Sequence, residues 1–381
     1  TPGSVQGSSG NRCSYCDGLK EMYHNLPPHI FKKIQDAIRR PEGTFTFNYQ
    51  SPDLFDKGKP GGIIFEIPSG QHLFRLERDN DLQLHFYHSS PGTGTRVATI
   101  DLNNLPAALN VFMAFSWTPN EIKLHIGPKV ANGELASATG VASQRQFRIG
   151  RDGRVYQIGD HGVEVMGVSF YQAGKPIVLP TAKEAWSETV KAIEMLSTGV
   201  STEGYMYEVV VTNLTLAILV TGFEAYTKKR FLELEQEGID PNTDAIIDTF
   251  FPKREREAGI KSLLEEEARD AGITVMQHIV ARGVINFQNF KNCKRAYNKA
   301  YGLKFGELDV PANTIKSLQS YIKYRHKIIH ISALLGMLNQ EDVPPEEPVF
   351  PKKETSQTAK EYFNRFIETL HQATLELRPK P

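Results

Sequence analysis

The hydrophobic pattern of this 381-residue chain changes its period once, in the stretch KPIVLPTA at 175–182. Before it, between residues 43 and 178, short alternating apolar runs recur about every ten residues, with Gly, Pro, Asn and Asp between them. A two-residue period predicts β-strands, because successive side chains point to opposite faces of a sheet. After it, apolar residues follow a helical period. The sequence therefore predicts a multidomain protein, all-β and then all-α.

The alternating runs predict an antiparallel β-sandwich, because turn residues separate them at short intervals. The clearest pair is NVFMAFSWTPNEIKLHIG at 110–127, where an apolar strand, a TPNE turn and an alternating strand predict a hairpin. This pattern resembles the concanavalin-like or laminin-G-like jelly roll, which implies two packed sheets. The ligand of the sandwich stays open, since no calcium loop or carbohydrate-binding signature stands out.

The second half of the chain predicts a helical bundle. Its helices are expected in KEAWSETVKAIEML at 183–196 and at about 205–236, 244–250, 254–270, 273–300 and 311–339. The predicted organisation is an N-terminal arm with a short helix at 1–42, the sandwich at 43–180, the bundle at 181–341, a Pro-rich linker at 342–356 and a C-terminal helix at 357–381.

The charge of the chain is segregated although its formal net charge is zero. Residues 271–340 contain ten Lys or Arg and only Glu307 and Asp309 as acids, a local charge of +8, whereas LLEEEARD at 263–270 is acidic. Such a basic segment is typical of a phosphate-binding surface, but it also fits the solvated face of a helical bundle.

Several classes of protein are disfavoured. Three cysteines in a chain of this size argue against a secreted disulfide framework. No apolar run reaches the roughly 18–20 residues of a membrane span. The nearest, at 209–223, is interrupted by Thr and Asn and predicts a central bundle helix. We expect a cytoplasmic protein without a membrane partner. The GTGT at 92–95 lacks the Lys and helix of a phosphate-binding loop, and no G-x-S-x-G elbow occurs.

The N-terminal arm contains a possible structural zinc site. Its four ligands would be Cys13, Cys16, His24 and His29, spaced C-x2-C-x7-H-x4-H. Thiolates and imidazoles are ligands that zinc prefers, and a two-residue gap lets two thiolates reach one ion. The x7 gap is shorter than that of common zinc fingers. The alternative is two free thiols and two surface histidines.

The stretch YRHKIIH at 324–330 concentrates titratable side chains on the helix predicted at 311–339. His326 and His330 are four residues apart and share a face, which is the geometry of a helical metal clip, although no third ligand is apparent. Arg325 and His330 lie about 140° apart around the helix and are expected to flank one groove. The expected apolar stripe consists of Ile315, Leu318, Ile322, Ile329 and Leu334.

This stretch has an Arg, then a polar residue and then a His, on a late helix of an all-α bundle. The arrangement is similar to the R-x4–6-H motif of the HEPN family. The same spacing occurs at Arg78–His85, Arg154–His161 and Arg365–His371. The first two fall in predicted strands, and Phe366 follows the arginine of the third. Two further segments resemble those of the family: the long early helix at 215–235, with Glu224 in its apolar face, and the aromatic and basic segment at 284–308.

The resemblance covers about 183–340 and implies a metal-independent endoribonuclease that leaves 2′,3′-cyclic phosphate and 5′-hydroxyl ends. His330 would act on the ribose 2′-hydroxyl or the leaving 5′-oxygen, Arg325 would bind the scissile phosphate, and His326 would be a supporting polar group. No cofactor is implied for catalysis. Two bundles are expected to form a homodimer in which two motifs meet in one cleft.

RNA is the expected partner. The side chains expected to hold it by charge are Lys323, Lys327, Lys291, Lys294 and Arg295. Four aromatic residues are candidates for stacking on bases or, alternatively, for core packing, namely Phe287, Phe290, Tyr297 and Tyr301.

The implied biology is that of a toxin or antiviral defence effector whose β-sandwich senses or recruits a ligand. The alternative is a non-catalytic HEPN dimerisation module whose β-sandwich binds a glycan, protein or RNA partner. In that interpretation Arg325 pairs with an acid such as Glu224.

Overall fold

The structure, a computed structural model, describes residues 33, 36–50, 53–69, 71–147, 156–157, 164–173, 175–199, 204–339 and 348–378. The chain divides between Pro180 and Thr181 into two compact units. In the described residues, antiparallel sheets build the first unit and helices build the second, so the change of hydrophobic period correctly predicts the class of each half.

The first unit contains two antiparallel sheets. Its strands in the described residues are β1 (Gly43–Gln50), β2 (Gly62–Ser69), β3 (His72–Arg78), β4 (Gln83–Ser90), β5 (Gly94–Asp101), β6 (Asn110–Trp117), β7 (Ile122–Lys129), β8 (Leu135–Thr139), β9 (Val141–Ala142), β10 (Tyr156–Gln157), β11 (Glu164–Gln172) and β12 (Lys175–Val178). One sheet has the order β12-β11-β1-β6-β7-β8 and the other β10-β2-β3-β4-β5-β9. The chain therefore crosses between the sheets several times.

The two sheets share one apolar core. Along β1 the buried residues Phe45, Phe47 and Tyr49 alternate with less buried ones, as a strand with one core-facing side requires. Phe86 of β4 stacks on Phe115 of β6 with ring centroids 3.9 Å apart, and neither ring is accessible to solvent. Because these strands belong to different sheets, this aromatic pair packs one sheet against the other.

The hairpin predicted at 110–127 is confirmed. β6 and β7 pair in antiparallel register, with Phe115 opposite Leu124. The turn is closed by the backbone N–H of Thr118, which donates to the carbonyl of Glu121 at 2.8 Å. The Thr118 hydroxyl accepts a hydrogen bond from the Glu121 N–H at 3.0 Å, so the TPNE sequence stabilises its own turn.

The second unit is a helical bundle. Its helices in the described residues are α1 (Ala182–Ser197), α2 (Tyr205–Gln236), α3 (Thr243–Phe250), α4 (Lys253–Glu257), α5 (Ile260–Asp270), α6 (Val275–Ala281), α7 (Phe290–Tyr301), α8 (Ala312–His330) and α9 (Lys353–Leu375). A single core of buried side chains runs from α1 to α9.

Three predicted helices end earlier than expected or are divided. The helix predicted at 254–270 is two helices, because Gly259 takes a left-handed conformation with φ of 82° between α4 and α5. The helix predicted at 273–300 is divided into α6 and α7 by residues 282–289. The helix predicted at 311–339 ends at His330, so the YRHKIIH stretch is its last two turns.

α2 is the central helix of the bundle. Gly222 lies so close to α1 that a Cβ at this position would be 2.5 Å from Thr189 Cγ2, and glycine therefore permits the contact. In the described part of the chain, α2 is the one helix long and apolar enough by composition to cross a membrane, with a mean hydropathy of 1.6. Because 56% of that stretch is buried within the protein, its apolar side chains serve the core.

The C-terminal helix belongs to the same bundle. α9 begins at Lys353, earlier than the predicted 357, and five of its side chains are fully buried, namely Ala359, Phe363, Phe366, Ile367 and Leu370. Residues 342–347 of the predicted linker lie outside the described residues. Just after them, the backbone N–H of Val349 donates to Asn339 Oδ1 at 2.7 Å, which ties α9 to the segment that follows α8.

A buried charge cluster joins α2 to α1 and α9. Arg230 is only 2% exposed and donates to both carboxylate oxygens of Glu237, at 2.6 and 2.9 Å, and to Thr374 Oγ1 at 2.9 Å. Glu233 accepts from the Ala182 N–H at 2.8 Å, and burial raises the pKa of this carboxyl. These charges are paired within the bundle, so the cluster fixes helix packing rather than offering a binding site.

Candidate functional site

The sequence of α8 separates a core face from a cleft face. Leu318, Tyr321, Tyr324 and Ile328 follow a three-to-four-residue spacing and are buried. The predicted stripe is wrong at its C-terminal end, because Ile329 and Leu334 are both 55% exposed. Ile328 takes the core position instead, and the helix ends before Leu334.

Arg325, His326 and their neighbours line a cleft of about 400 Å³ between α8, α2 and the loop that joins α6 to α7. The lining residues are Val220, Asn286, Gln288, Asn289, Ile322, Lys323, Arg325, His326 and Lys327. This set holds three cationic side chains, one imidazole and three amides, and it includes no carboxylate. An anion that enters the cleft therefore meets attractive charge, and no carboxylate belongs to the side chains that line it.

The amide wall comes from the α6–α7 loop, whose sequence is VINFQNF at 284–290. Ile285, Phe287 and Phe290 are buried in the bundle core. Asn286, Gln288 and Asn289 lie between them and line the cleft. The alternation of apolar and amide residues therefore directs the amides away from the core. Sequence reasoning missed these three residues, and this alternation is the signal that could have found them.

Arg325 lies where α8 and this loop meet. Its Nη1 donates to Gln288 Oε1 at 3.3 Å, and its Nε is buried without a hydrogen-bond partner. Among the described residues Arg325 makes no ion pair with a carboxylate, Glu224 included. A buried guanidinium N–H without a partner loses its hydration with no replacement.

The two histidines of the motif are in contact but in different surroundings. The ring centroids of His326 and His330 are 4.3 Å apart. Both side chains are exposed, but His326 lines the cleft, whereas His330, the last residue of α8, is absent from the cleft lining. One chain therefore brings Arg325, His326, Lys323 and Lys327 together and leaves His330 at the rim.

The other predicted RNA-binding residues lie outside the cleft lining. Lys291 and Lys294 are exposed on α7, and the Arg295 guanidinium lies 5.7 Å from the ring centroid of Phe250 on α3. Of the five cations predicted to hold RNA, Lys323 and Lys327 line the cleft and these three do not.

Of the two roles open for the four aromatic residues, the structure supports core packing. Phe287 and Phe290 are buried in the core. Tyr297 is also fully buried, and its hydroxyl donates to the carbonyl of Thr227 at 2.7 Å. The Tyr301 hydroxyl donates to the carbonyl of Phe231 at 2.6 Å. All four residues therefore contact α2, through ring packing or through a hydroxyl hydrogen bond.

The other matches to the motif spacing have structural roles or lie outside the described residues. Arg78 is 6% exposed and donates to five backbone carbonyls of the loop at 53–60, those of Asp53, Leu54, Asp56, Lys59 and Pro60. His371 lies against Tyr226, and burial, with a contribution from Arg230, lowers the pKa of His371 to about 4. Arg365 is exposed on another face of α9. Arg154 and His161 are outside the described residues.

The predicted zinc ligands Cys13, Cys16, His24 and His29 all lie outside the described residues. Elsewhere, the described part of the chain contains no group of three or more His, Cys, Asp or Glu side chains that could hold a metal ion. His326 and His330 thus have no third ligand there. The remaining thiol, Cys293, is fully buried, and burial raises its pKa to about 12.

No protein-family model matches this chain, and no curated protein is significantly similar to it. The described residues define a two-unit protein with antiparallel sheets followed by helices, and with a cleft of cationic, imidazole and amide side chains in the helical unit.

Proposed function

We propose that the chain is a metal-independent endoribonuclease of the HEPN type that cleaves RNA to 2′,3′-cyclic phosphate and 5′-hydroxyl ends. The observation that carries this proposal is the composition of the α8 cleft: Arg325, Lys323, Lys327 and His326 line one site that includes no carboxylate. This combination suits a phosphodiester best, because lysine charges and a planar guanidinium bind phosphate oxygens and an imidazole can transfer protons.

Arg325 is suited to the scissile phosphate. A planar guanidinium binds two phosphate oxygens at once, and it stabilises the additional negative charge of the transition state more than that of the bound substrate. In this structure Arg325 lines the cleft, and in the described residues its guanidinium makes one hydrogen bond, to Gln288 Oε1 at 3.3 Å. Lys323 and Lys327 add attraction at the same cleft.

The imidazoles supply proton transfer. A base removes the proton of the ribose 2′-hydroxyl, O2′ attacks the phosphorus, the P–O5′ bond breaks, and the leaving O5′ receives a proton from an acid. His330 performs one of these two transfers. His326 contacts His330 with a ring-centroid distance of 4.3 Å and supports it as a polar partner inside the cleft.

The proposed active form is a homodimer through the helical bundle. The residues next to His330 are apolar and exposed, at 55% for Ile329, 61% for Ile331 and 55% for Leu334. Exposed apolar side chains grouped at one place indicate a protein contact. The following segment is held in place by Asn213 of α2, which donates to the carbonyls of Ala333 and Leu335 at 2.9 and 3.1 Å. A two-fold contact at this surface brings His330 of one chain toward the cleft of the other.

The finer fold assignments form part of the same proposal. The crossing of the chain between two antiparallel sheets supports a jelly-roll-like sandwich of the concanavalin or laminin-G type. A long buried α2 and the motif on α8 support a HEPN-like bundle. We assign the sandwich to sensing or recruitment and the whole chain to the cytoplasm as a toxin or antiviral defence effector.

The test is cleavage of 5′-labelled single-stranded RNA in EDTA. Arg325→Ala should lower the rate by about 10²–10³, and His330→Ala by about 10²–10⁴. Arg365→Ala is the matched control, because this exposed arginine of α9 belongs to a motif of similar spacing outside the cleft. Mass spectrometry should find 2′,3′-cyclic phosphate ends.

Cleavage that survives both substitutions, or that depends on added metal, contradicts the proposal. If the wild type forms dimers but cleaves none of a panel of structured and unstructured RNAs, the chain is instead a non-catalytic dimerisation module with a ligand-binding sandwich.

A further inference from the structure

The three amides of the cleft use their oxygen atoms locally. Asn286 Oδ1 accepts from the backbone N–H groups of Gln288 and Asn289 at 2.9 and 3.2 Å. Asn289 Oδ1 accepts from the N–H groups of Lys291 and Asn292 at 3.0 and 3.2 Å and so caps α7. Gln288 Oε1 accepts from Arg325 at 3.3 Å. Each oxygen faces an N–H donor, which fixes the orientation of the amide.

The nitrogen atoms of the same amides are therefore left as donors. No hydrogen bond within the described residues uses Asn286 Nδ2, Gln288 Nε2 or Asn289 Nδ2. The opposite wall adds the half-buried guanidinium of Arg325 and the exposed side chain of Lys323. Both walls of the cleft thus present hydrogen-bond donors, and the side chains that line it offer no carboxylate to compete for them.

A surface of this kind selects a ligand rich in acceptor oxygens. A cationic ligand or a neutral donor finds no partner in it, whereas an oxyanion accepts from several N–H groups at once. The cleft of about 400 Å³ is larger than a single oxyanion and has room for a nucleotide unit. The N-terminus of the twelve-residue α7 begins at Asn289, and its dipole adds positive potential there.

We infer that Asn286, Gln288 and Asn289 form a second phosphate subsite, which binds the RNA phosphate next to the scissile one and sets the register of the strand. This inference rests on the proposed function for the scissile phosphate at Arg325. Gln288 has a double role, because it orients the Arg325 guanidinium through its oxygen and binds the neighbouring phosphate through its nitrogen.

The amide subsite carries no charge, and this distinguishes it from the lysines that line the cleft. Binding of a phosphate by an amide releases no counterion, whereas each lysine that neutralises a phosphate contributes about 0.7 to the slope of log K against log salt for single strands. Removal of the amide donors without a change of charge should weaken RNA binding with an unchanged salt slope. Lys323→Ala should lower the slope by about 0.7.

The experiment measures binding of a fluorescein-labelled 2′-O-methyl RNA oligonucleotide to the full-length protein by anisotropy. The 2′-O-methyl group removes the attacking hydroxyl, so that binding is measured without cleavage. Asn289→Asp and Gln288→Glu keep the local acceptor oxygen but replace the amide N–H donors by an anionic oxygen. Asn242→Asp is the matched control, because Asn242 caps α3 by accepting from the Ala245 N–H at 2.9 Å and does not line the cleft.

Asn289→Asp and Gln288→Glu should each weaken binding at least about tenfold, and Asn242→Asp should leave it unchanged. Thermal unfolding should show all three variants folded, since Asp is as good an N-cap as Asn. Wild-type affinity in the two cleft variants, an equal loss in the Asn242→Asp control, or no binding by the wild type each overturns the inference.

The two proposals fail in different ways. If Arg325→Ala and His330→Ala abolish cleavage of unmodified RNA while Asn289→Asp keeps the wild-type KM, the nuclease stands and the second subsite is wrong. If Asn289→Asp loses binding of the methylated oligonucleotide but the wild type cleaves no RNA, the donor-lined subsite stands and the nuclease is wrong.

Discussion

His326 and His330 lie one helical turn apart at the end of α8, with ring centroids 4.3 Å apart and ring planes inclined by 48°. Both are exposed to solvent, but only the first lines the cleft. A pair in direct contact can divide the work of one acid–base step, because one ring orients the other. Their contributions to cleavage should then be coupled rather than additive.

This coupling predicts the result of a double-mutant cycle. His326→Ala and His330→Ala should each reduce the single-turnover rate, and the double variant should lose little more than the worse single variant. His125→Ala, in β7 of the first unit, serves as the control and should keep the wild-type rate. Fully additive losses in the double variant would show that the two rings act independently.

The exposed apolar surface beside His330 predicts shared active sites. Ile331→Glu should weaken dimerisation at least about tenfold by sedimentation velocity, because it places a charge among Ile329 and Leu334. Leu263→Glu is the control, since Leu263 is also exposed, at 46%, but lies on α5. The Ile331→Glu protein should also lose cleavage activity at low protein concentration.

Mixing two inactive variants tests whether each active site is shared between the two chains of a dimer. If each site takes Arg325 from one chain and His330 from the other, a mixture of Arg325→Ala and His330→Ala proteins should recover about a quarter of the wild-type rate, since half of the dimers are mixed and each has one intact site. No recovery after demonstrated subunit exchange would mean that each site is built within one chain.

Arg78 predicts a different phenotype from Arg325, although both match the same motif spacing. Arg78 is buried, and its two terminal nitrogens donate to the backbone carbonyls of the loop at 53–60. Arg78→Ala removes these donors and should lower the free energy of unfolding of the first unit by about 3 kcal/mol. The protein has two tryptophans, Trp117 in the first unit and Trp186 in the second. In a Trp186→Phe background, Trp117 fluorescence against urea should report this loss, and cleavage by the folded protein should be unchanged.

The sequence predicts the elements whose pattern is local. The two-residue period correctly predicts the strands, and the turn residues of TPNE close the hairpin of β6 and β7 as expected. The long apolar run of α2 correctly predicts a central helix. In each case the residues that determine the element lie within it, so tertiary contacts need not be known.

The features that the sequence does not predict are those that depend on which face of an element a side chain lies on. Ile328 and Ile329 are chemically identical neighbours, and only the packing of α8 against the bundle decides that the first is buried and the second exposed. The aromatic residues of α7 have the composition of a stacking surface, yet the tyrosine hydroxyls bond to backbone carbonyls of α2. The amide wall depends on the path of the α6–α7 loop, which a helical pattern does not predict.

Two histidines, the buried His88 and the half-buried His371, predict that acid destabilises the protein. Burial lowers the pKa of His88 in the first unit to about 3, with a contribution from His72, and that of His371 in the second to about 4. In the unfolded chain both titrate near 6.5. Between these values the unfolded state binds more protons than the folded state. The stabilising effect is therefore fully present above about pH 6.5 and is lost as the pH falls toward about 4.

His371→Asn isolates the contribution of the second unit. Trp186 is a suitable reporter, because its Nε1 donates to Asn364 of α9 at 2.7 Å, and a Trp117→Phe background removes the other signal. Between pH 7 and pH 4.5, the parent protein should lose on the order of 1 kcal/mol more of its unfolding free energy than the His371→Asn variant, a value that allows for the partial exposure of the ring. Parallel stability curves for the two proteins over this range would contradict the prediction, because the shared carboxylates contribute equally to both.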